Sequence, residues 1–196
     1  MLINHGPIQF PAYSGTQKKI NMMPIIMGVH DTLPNDLRCY SPMIDRCGLP
    51  HGETVYLTVY ESLVLRGRTQ RRSGTHTDAT NSLGWGGWGA GGIWMASTDG
   101  DCAAWNLELS ADDVDSHGGL VQEPAMPATK LDKNVLYQIS DRTPHRSLEA
   151  KESHHRQFFR LVGPEIGGWF VRHSTANPLG IPPKAKVITE SKFATP

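Results

Sequence analysis

The pattern His76-Thr77-Asp78 places an imidazole and a carboxylate two residues apart, near the end of a segment that we interpret as a strand. In a β-strand, residues i and i+2 project from the same face, so these two side chains can point toward one ligand. A second histidine, His145, directly follows Pro144 at the start of another strand-like segment. The three residues His76, Asp78 and His145 are therefore candidate metal ligands.

Two histidines and one carboxylate on one face of a metal ion leave three coordination positions open. Non-haem Fe(II) oxygenases use this facial arrangement, because a bidentate co-substrate and dioxygen can then bind side by side. His154 and His155 are alternatives to His145 as the distal ligand. They fit less well, because His155 directly precedes Arg156 and leaves no room for the chain to return between adjacent strands.

Two arginines, Arg156 and Arg160, lie in a strand-like run that follows the distal histidine. Strand alternation places them on one face together with Phe158. A guanidinium inside a barrel is costly unless it is paired, and a carboxylate is its best bidentate partner. A dicarboxylate that chelates the metal at one end and contacts arginine at the other would fit this arrangement.

The order of these features resembles that of the Fe(II)/2-oxoglutarate-dependent dioxygenases: a strand, His-x-Asp, a long middle section, a distal His, and Arg about ten residues later. The resemblance covers roughly residues 53–163. It implies a double-stranded β-helix, the cupin-like jelly roll, with Fe(II) held by His76, Asp78 and His145. It also implies 2-oxoglutarate as co-substrate and dioxygen (O2) as oxidant.

Within this resemblance, Arg156 is the residue expected to bind the distal carboxylate of 2-oxoglutarate, and Arg160 is the alternative. Many members that act on small molecules carry the motif Arg-x-Ser at this point. In this chain the motif would begin at Arg156, and Phe158 stands at the position of its serine. The implied activity is the oxidation, in the first place hydroxylation, of a C–H bond in a small organic substrate. Desaturation or another oxidation stays open.

Two further side chains could belong to the same site. Tyr60 could direct its hydroxyl at 2-oxoglutarate, although core packing is the alternative role for this residue. Arg72 lies four residues before His76, on the same strand face by alternation. It could bind a substrate carboxylate, or it could pair with a wall residue such as Glu61.

Three tryptophans are candidates for substrate contacts. Trp85 and Trp88 lie in the glycine-rich stretch 84–92, which follows the first two candidate ligands. Glycine gives such a stretch freedom to move, so it could act as a lid whose tryptophans cover a bound substrate. Packing of this loop on its flank is the alternative. Trp94, on the next predicted strand, could line the pocket or belong to the core.

The elements that must position these residues are mainly strands. Helical periodicity is hard to find, while β-branched and aromatic runs alternate with turn signals. This pattern predicts an all-β or mainly β sandwich, jelly roll or barrel. Residues 1–50 contain frequent prolines and predict an irregular N-terminal flank packed on the core, with residues 51–196 forming the catalytic domain and a C-terminal extension. The main strands are predicted at residues 54–66, 68–76, 93–97, 102–109, 135–139 and 155–162.

Composition limits the partners of the chain. Its 196 residues include 19 basic and 19 acidic side chains, for a formal net charge of zero. A neutral chain lacks the broad positive field of most nucleic-acid-binding proteins, and no stretch is apolar enough to span a membrane. Three cysteines without a Cys-x-x-Cys pair, and no visible signal peptide, lead us to expect a cytoplasmic protein. The oligomeric state stays open.

Two other functions are compatible with the same residues. A cupin-type metalloenzyme could use this barrel and metal without 2-oxoglutarate. A jelly-roll binding module could carry the three candidate ligands by coincidence and hold no iron. Metal stoichiometry and the response to 2-oxoglutarate distinguish these alternatives.

Overall fold

The computed structural model describes residues 1–78 and 92–191. These residues are mainly β, as the sequence predicts, with one short α-helix, α1 (Ser41–Arg46), and four 3-10 helices at His30–Thr32, Asn35–Tyr40, Ala111–Asp113 and Val171–His173. The strands are β1 (Leu2–Pro7), β2 (Lys18–Ile26), β3 (Thr54–Val64), β4 (Ile93–Ser97), β5 (Cys102–Ala104), β6 (Thr129–Lys130), β7 (Val135–Ile139), β8 (His145–Ser147), β9 (His154–Val162), β10 (Trp169–Phe170) and β11 (Val187–Ile188).

Two antiparallel sheets build the fold. The large sheet has six strands in the order β1-β7-β4-β9-β3-β2, and the small sheet has three strands in the order β6-β5-β8. Strands β10 and β11 form a separate parallel pair. This arrangement is consistent with a β-sandwich.

The centre of the large sheet is the pairing of β3 with β9. β3 is rich in β-branched and aromatic residues, which favour an extended, half-buried backbone. Its register with β9 runs without a bulge from Tyr56 opposite Val162 to Val64 opposite His154. Both faces of β9 are buried, so each alternate side chain enters a different hydrophobic cluster. The large sheet therefore has one face toward each cluster, and β9 contributes to both.

The N-terminal region differs from the prediction of an irregular flank, because residues 1–50 contain two strands of the large sheet. β1 pairs with β7 and β2 pairs with β3, so this region supplies both edge strands of the large sheet. Its prolines exclude long helices, but proline is tolerated on an edge strand, where its missing N–H is not needed. Pro24, for example, lies in β2 opposite Tyr56.

Most predicted strands are found in the structure, but two differ. Residues 93–97 and 135–139 are strands as predicted, and those predicted at 54–66 and 155–162 shift by one or two residues at an end. Residues 68–76 form no strand, and His76 makes only isolated bridges. The predicted strand at 102–109 ends at Ala104: the amide of Trp105 still donates to the carbonyl of Pro144, but proline has no N–H with which to continue the ladder.

Two smaller expectations concern cysteines and membranes. Cys39, Cys47 and Cys102 are free thiols. Across residues 1–78 and 92–191, the structure contains no helix with the length and apolar character that crossing a membrane requires.

Candidate metal centre

His76, Asp78 and His145 come together in the structure. One potential ligand atom from each of them lies within 4.8 Å of the others. His145 begins β8, and its backbone forms an antiparallel bridge with His76 through reciprocal N–H···O bonds of 3.0 and 2.9 Å. Asp78 follows two residues later on the same side. A short extended contact, rather than the longer strand expected, thus positions the two histidines.

Backbone carbonyls orient both imidazoles. Nδ1 of His76 lies 2.6 Å from the carbonyl of Gly74, and Nδ1 of His145 lies 3.0 Å from the carbonyl of Thr143. A carbonyl can only accept, so each Nδ1 carries the proton and each Nε2 keeps a free lone pair. Histidines that bind metals commonly donate their other ring N–H in this manner. Both rings are therefore prepared to act as ligands through Nε2.

The electrostatic setting keeps the histidines neutral. Burial lowers the pKa of His145, and burial together with neighbouring His145 lowers the pKa of His76 well below its usual value. Neutral imidazole is the form that binds metals. The two ring centroids are 4.5 Å apart, and Nε2 of His145 lies 4.0 Å from Oδ2 of Asp78. The three groups can thus surround one ion from one side.

Arg160, on β9, contacts the carboxylate directly. Its Nη1 donates to both oxygens of Asp78, at 3.1 and 2.9 Å. Both residues are buried, with 6% and 5% of their surface exposed. This ion pair compensates the buried charge of Asp78 and brings a cation into contact with the candidate ligands.

A partly enclosed cavity of about 50 Å³ lies beside the three candidate ligands, between the large and small sheets. Its apolar wall comes mainly from the large sheet, and the small sheet contributes the opposite side. A ligand in this cavity would meet His76, Asp78 and His145 together with apolar side chains and several arginines. The cavity wall includes Ile93, Met95, Ile139, Phe158, Cys102 and Arg160.

A larger open cleft, of about 450 Å³, reaches the same site from outside and is lined by His76 and Asp78. Asp78 is its only acidic wall residue among the described parts of the chain, and Asp78 is paired with Arg160. Burial, with a contribution from Arg160, lowers the pKa of Arg71, yet arginine stays charged at neutral pH. The cleft is therefore electropositive, and its cationic wall residues are Lys19, Arg71, Arg72, Arg160 and Arg172.

The two strand arginines occupy different positions. Arg160 lines both the cavity and the cleft. Arg156 has no exposed surface, and it donates from Nε to Oγ of Ser97 at 2.8 Å and from Nη2 to Sγ of Cys102 at 3.0 Å. Its Nη1 has no hydrogen-bond partner among the described residues. Arg156 thus lies behind the cavity wall, next to wall residues Cys102 and Phe158.

The remaining predicted site residues divide into three groups. Tyr60 and Arg72 line the open cleft, and Arg72 also lines the partly enclosed cavity. Trp94 instead packs in the hydrophobic core with Leu161, on the face of β4 opposite to the cavity residues. Trp94 therefore has the core role, one of the two roles that the sequence leaves open for it, and lines neither the cavity nor the cleft. Trp85 and Trp88 lie outside the described residues.

Sequence reasoning gave no role in the site to Arg71. Its guanidinium carbon lies 4.4 Å from the ring centroid of Tyr60 and 5.3 Å from that of Phe158, which is cation–π contact distance. It stands beside Arg72 in a run of basic residues. Such a run indicates local positive charge, but it does not indicate where the side chains point. Lys19 and Arg172 come from distant parts of the chain, so no local pattern could have joined them to the site.

Comparisons of the chain with protein-family models, with curated proteins and with solved structures found no match.

Proposed function

We propose that the protein is an Fe(II)- and 2-oxoglutarate-dependent dioxygenase with a double-stranded β-helix fold, which oxidises a C–H bond of a small organic substrate. The observation that carries this proposal is the convergence of His76, Asp78 and His145 beside a partly enclosed cavity. The location of the cavity between two antiparallel sheets supports the jelly-roll assignment. Hydroxylation is the simplest outcome.

The donor set fits Fe(II). Two neutral imidazoles with free Nε2 lone pairs, together with one carboxylate, form the two-histidine, one-carboxylate set that leaves positions open for other ligands. His76, Asp78 and His145 would hold the ion. When bound with 2-oxoglutarate, Fe(II) supplies the activation of dioxygen that C–H oxidation requires.

The arginines of β9 fit a dicarboxylate co-substrate. Arg156 and Arg160 lie on one strand face with Phe158 between them, and Nη1 of Arg156 is free to donate. Since Arg160 already contacts Asp78, it is close to the metal end of the cavity. We therefore assign the distal carboxylate of 2-oxoglutarate to Arg156, which would need a wall residue such as Cys102 to move aside.

The chain's own residues would hold and orient the reactants. The carbonyls of Gly74 and Thr143 fix the two imidazole rings, and Arg160 fixes the carboxylate of Asp78. The apolar wall limits the entry of water into the reaction site. That wall is formed by Ile93, Met95, Ile139 and Phe158.

The charge of the open cleft supports an anionic substrate. Cations surround the route to the candidate metal centre, and a carboxylate, phosphate or sulfate group would find bidentate partners in Arg71, Arg72 or Arg172. The group to be oxidised would then extend toward the metal. A small organic acid is the substrate class that fits best.

Anaerobic titration of the Fe(II)-loaded protein with 2-oxoglutarate tests the proposal. Chelation should produce a weak visible charge-transfer band, which Asp78→Ala should abolish. The matched control Asp112→Ala, at an exposed aspartate, should keep the band. Bound iron without the band would exclude 2-oxoglutarate chelation, and a failure to bind iron would exclude an iron-dependent oxygenase.

A metal-dependent enzyme that does not use 2-oxoglutarate is the second candidate. One observation favours it: Arg156 already donates hydrogen bonds to Ser97 and Cys102, and it does not line the cavity. In that case the substrate itself would chelate the metal. The same titration distinguishes the two candidates, since the metal would bind without any response to 2-oxoglutarate.

A further inference from the structure

A second cluster of potential metal ligands lies away from the first centre. Asp99, Asp101 and His154 place one ligand atom each within 4.8 Å of one another. Nε2 of His154 is 3.3 Å from Oδ2 of Asp99 and 3.2 Å from Oδ2 of Asp101. The two carboxylates come from the turn between β4 and β5, and the histidine begins β9.

The histidine of this cluster is oriented in the same manner as those of the first centre. Nδ1 of His154 lies 2.9 Å from the carbonyl of Glu152, so Nδ1 donates to that carbonyl and Nε2 faces the two carboxylates. Asp99 is oriented too, because its Oδ1 accepts from the amide of Gly100 at 3.0 Å and its Oδ2 faces the histidine. Backbone contacts thus fix two of the three groups.

Buried polar atoms at the centre of the cluster have no hydrogen bond. Asp101 is only 7% exposed, and neither its Oδ2 nor Nε2 of His154 has a hydrogen-bond partner among the described residues. Within residues 1–78 and 92–191, neither Asp99 nor Asp101 forms an ion pair with lysine or arginine. Buried groups without a partner are costly, and a divalent cation would satisfy all three at once.

The cluster joins elements of both sheets. The carbonyl of Asp101 accepts from Leu148, just after β8 of the small sheet, and Thr98 beside Asp99 donates to Gln157 of β9 in the large sheet. An ion here would tie the β4–β5 turn to the start of β9, near Cys102 and Arg156. The expected role is structural, since it would hold the two sheets at a fixed separation beside the cavity.

We propose that Asp99, Asp101 and His154 form a second metal site, which binds a divalent first-row ion such as Zn²⁺. One imidazole and two carboxylates suit such an ion, and a water molecule would complete a tetrahedral shell. This site is independent of the proposed oxygenase activity, because it shares no ligand with the centre at His76.

The test is the number of Zn²⁺ ions that chelator-stripped protein binds, from calorimetric titration and from metal analysis after gel filtration. We expect two ions per chain for the unchanged protein, one for His154→Gln, and one for His145→Gln. The double variant should bind none. His155→Gln alters the next histidine of the same strand and should keep both ions, which makes it the matched control.

Two ions bound by His154→Gln would overturn the proposal, as would a single ion in the unchanged protein that His145→Gln removes. A single ion that His154→Gln removes would support this site while contradicting the first centre, so the two proposals can fail separately.

Thermal unfolding gives a second measurement. Saturating Zn²⁺ should raise the unfolding midpoint of His145→Gln by roughly 5 °C and leave that of the double variant unchanged.

Discussion

Asp78 is both a proposed metal ligand and the ion-pair partner of Arg160. A buried ion pair gives little net stability, but removing one partner leaves an uncompensated charge that is strongly destabilising. The contact at 2.9 Å, with both side chains nearly inaccessible to solvent, is of this kind. The pair can therefore be tested in the metal-free protein, without any assumption about activity.

Asp78→Asn should lower the free energy of unfolding of the metal-free protein by about 3 kcal/mol, because Arg160 then remains buried without a counter-charge. Adding Arg160→Gln should recover at least half of that loss. Urea denaturation of the two single variants and the double variant measures the coupling. Additive losses of stability, with no recovery in the double variant, would contradict a direct pairing. Neither Asp78→Asn nor the double variant should bind Fe(II).

A second prediction at the residue scale concerns Asp141, a carboxyl that is 2% exposed and has an oxygen without a hydrogen-bond partner among the described residues. Burial, with repulsion from Asp78, raises its pKa from 3.8 to about 7. Between these values the folded protein binds more protons than the unfolded chain, so this group makes stability fall as pH rises. The loss is complete above about pH 7.

Asp141→Asn should remove that loss. Asparagine resembles the protonated acid, so the variant and the unchanged metal-free protein should be about equally stable near pH 4. The variant should become more stable as pH rises, by up to about 4 kcal/mol above pH 7. Urea denaturation at intervals between these pH values measures the difference. A difference that does not depend on pH would show that Asp141 does not titrate as described.

At the scale of elements, strand alternation predicts correctly which side chains share a face where a strand is long and central. It placed Arg160 and Phe158 on the cavity side of β9, as the structure has them. It failed for residues 68–76, because their conformation depends on isolated hydrogen bonds to Ala150, Ser147 and His145, which are distant in sequence. The candidate ligands could still be predicted, since the His-x-Asp spacing needs only a short extended contact.

Adjacent residues of β9 should respond differently to the same substitution. Phe159 is fully buried in the core on one face, whereas Phe158 lines the cavity on the other. Phe159→Leu and Phe158→Leu should each lower the free energy of unfolding by about 1 kcal/mol. Only Phe158→Leu should also weaken 2-oxoglutarate binding several-fold, as measured by the anaerobic titration. An equal effect of both variants on that binding would contradict the assignment of the two faces.

At the scale of the whole molecule, a net charge of zero conceals an uneven distribution. Cations from four separate segments meet in the open cleft, whereas Asp78 is the only acidic residue among its described wall residues. Composition alone could exclude a broad basic surface, but it could not predict this local field. Lys19 comes from an edge strand and Arg172 from a 3-10 helix after β10, so only the folded chain brings them together.

The field of the cleft should appear as a salt-dependent affinity for anions. Arg172 is exposed at the cleft, away from the candidate ligands, so Arg172→Gln removes one charge without altering the metal centre. At about 50 mM salt, this change should weaken binding of 2-oxoglutarate to the metal-loaded protein by about twofold to fivefold, and the difference should vanish near 500 mM, where screening is nearly complete at this range. Arg68→Gln removes an exposed arginine that does not line the cleft, and should have no such effect. Equal losses in both variants would mean that net charge, rather than the cleft, attracts the anion.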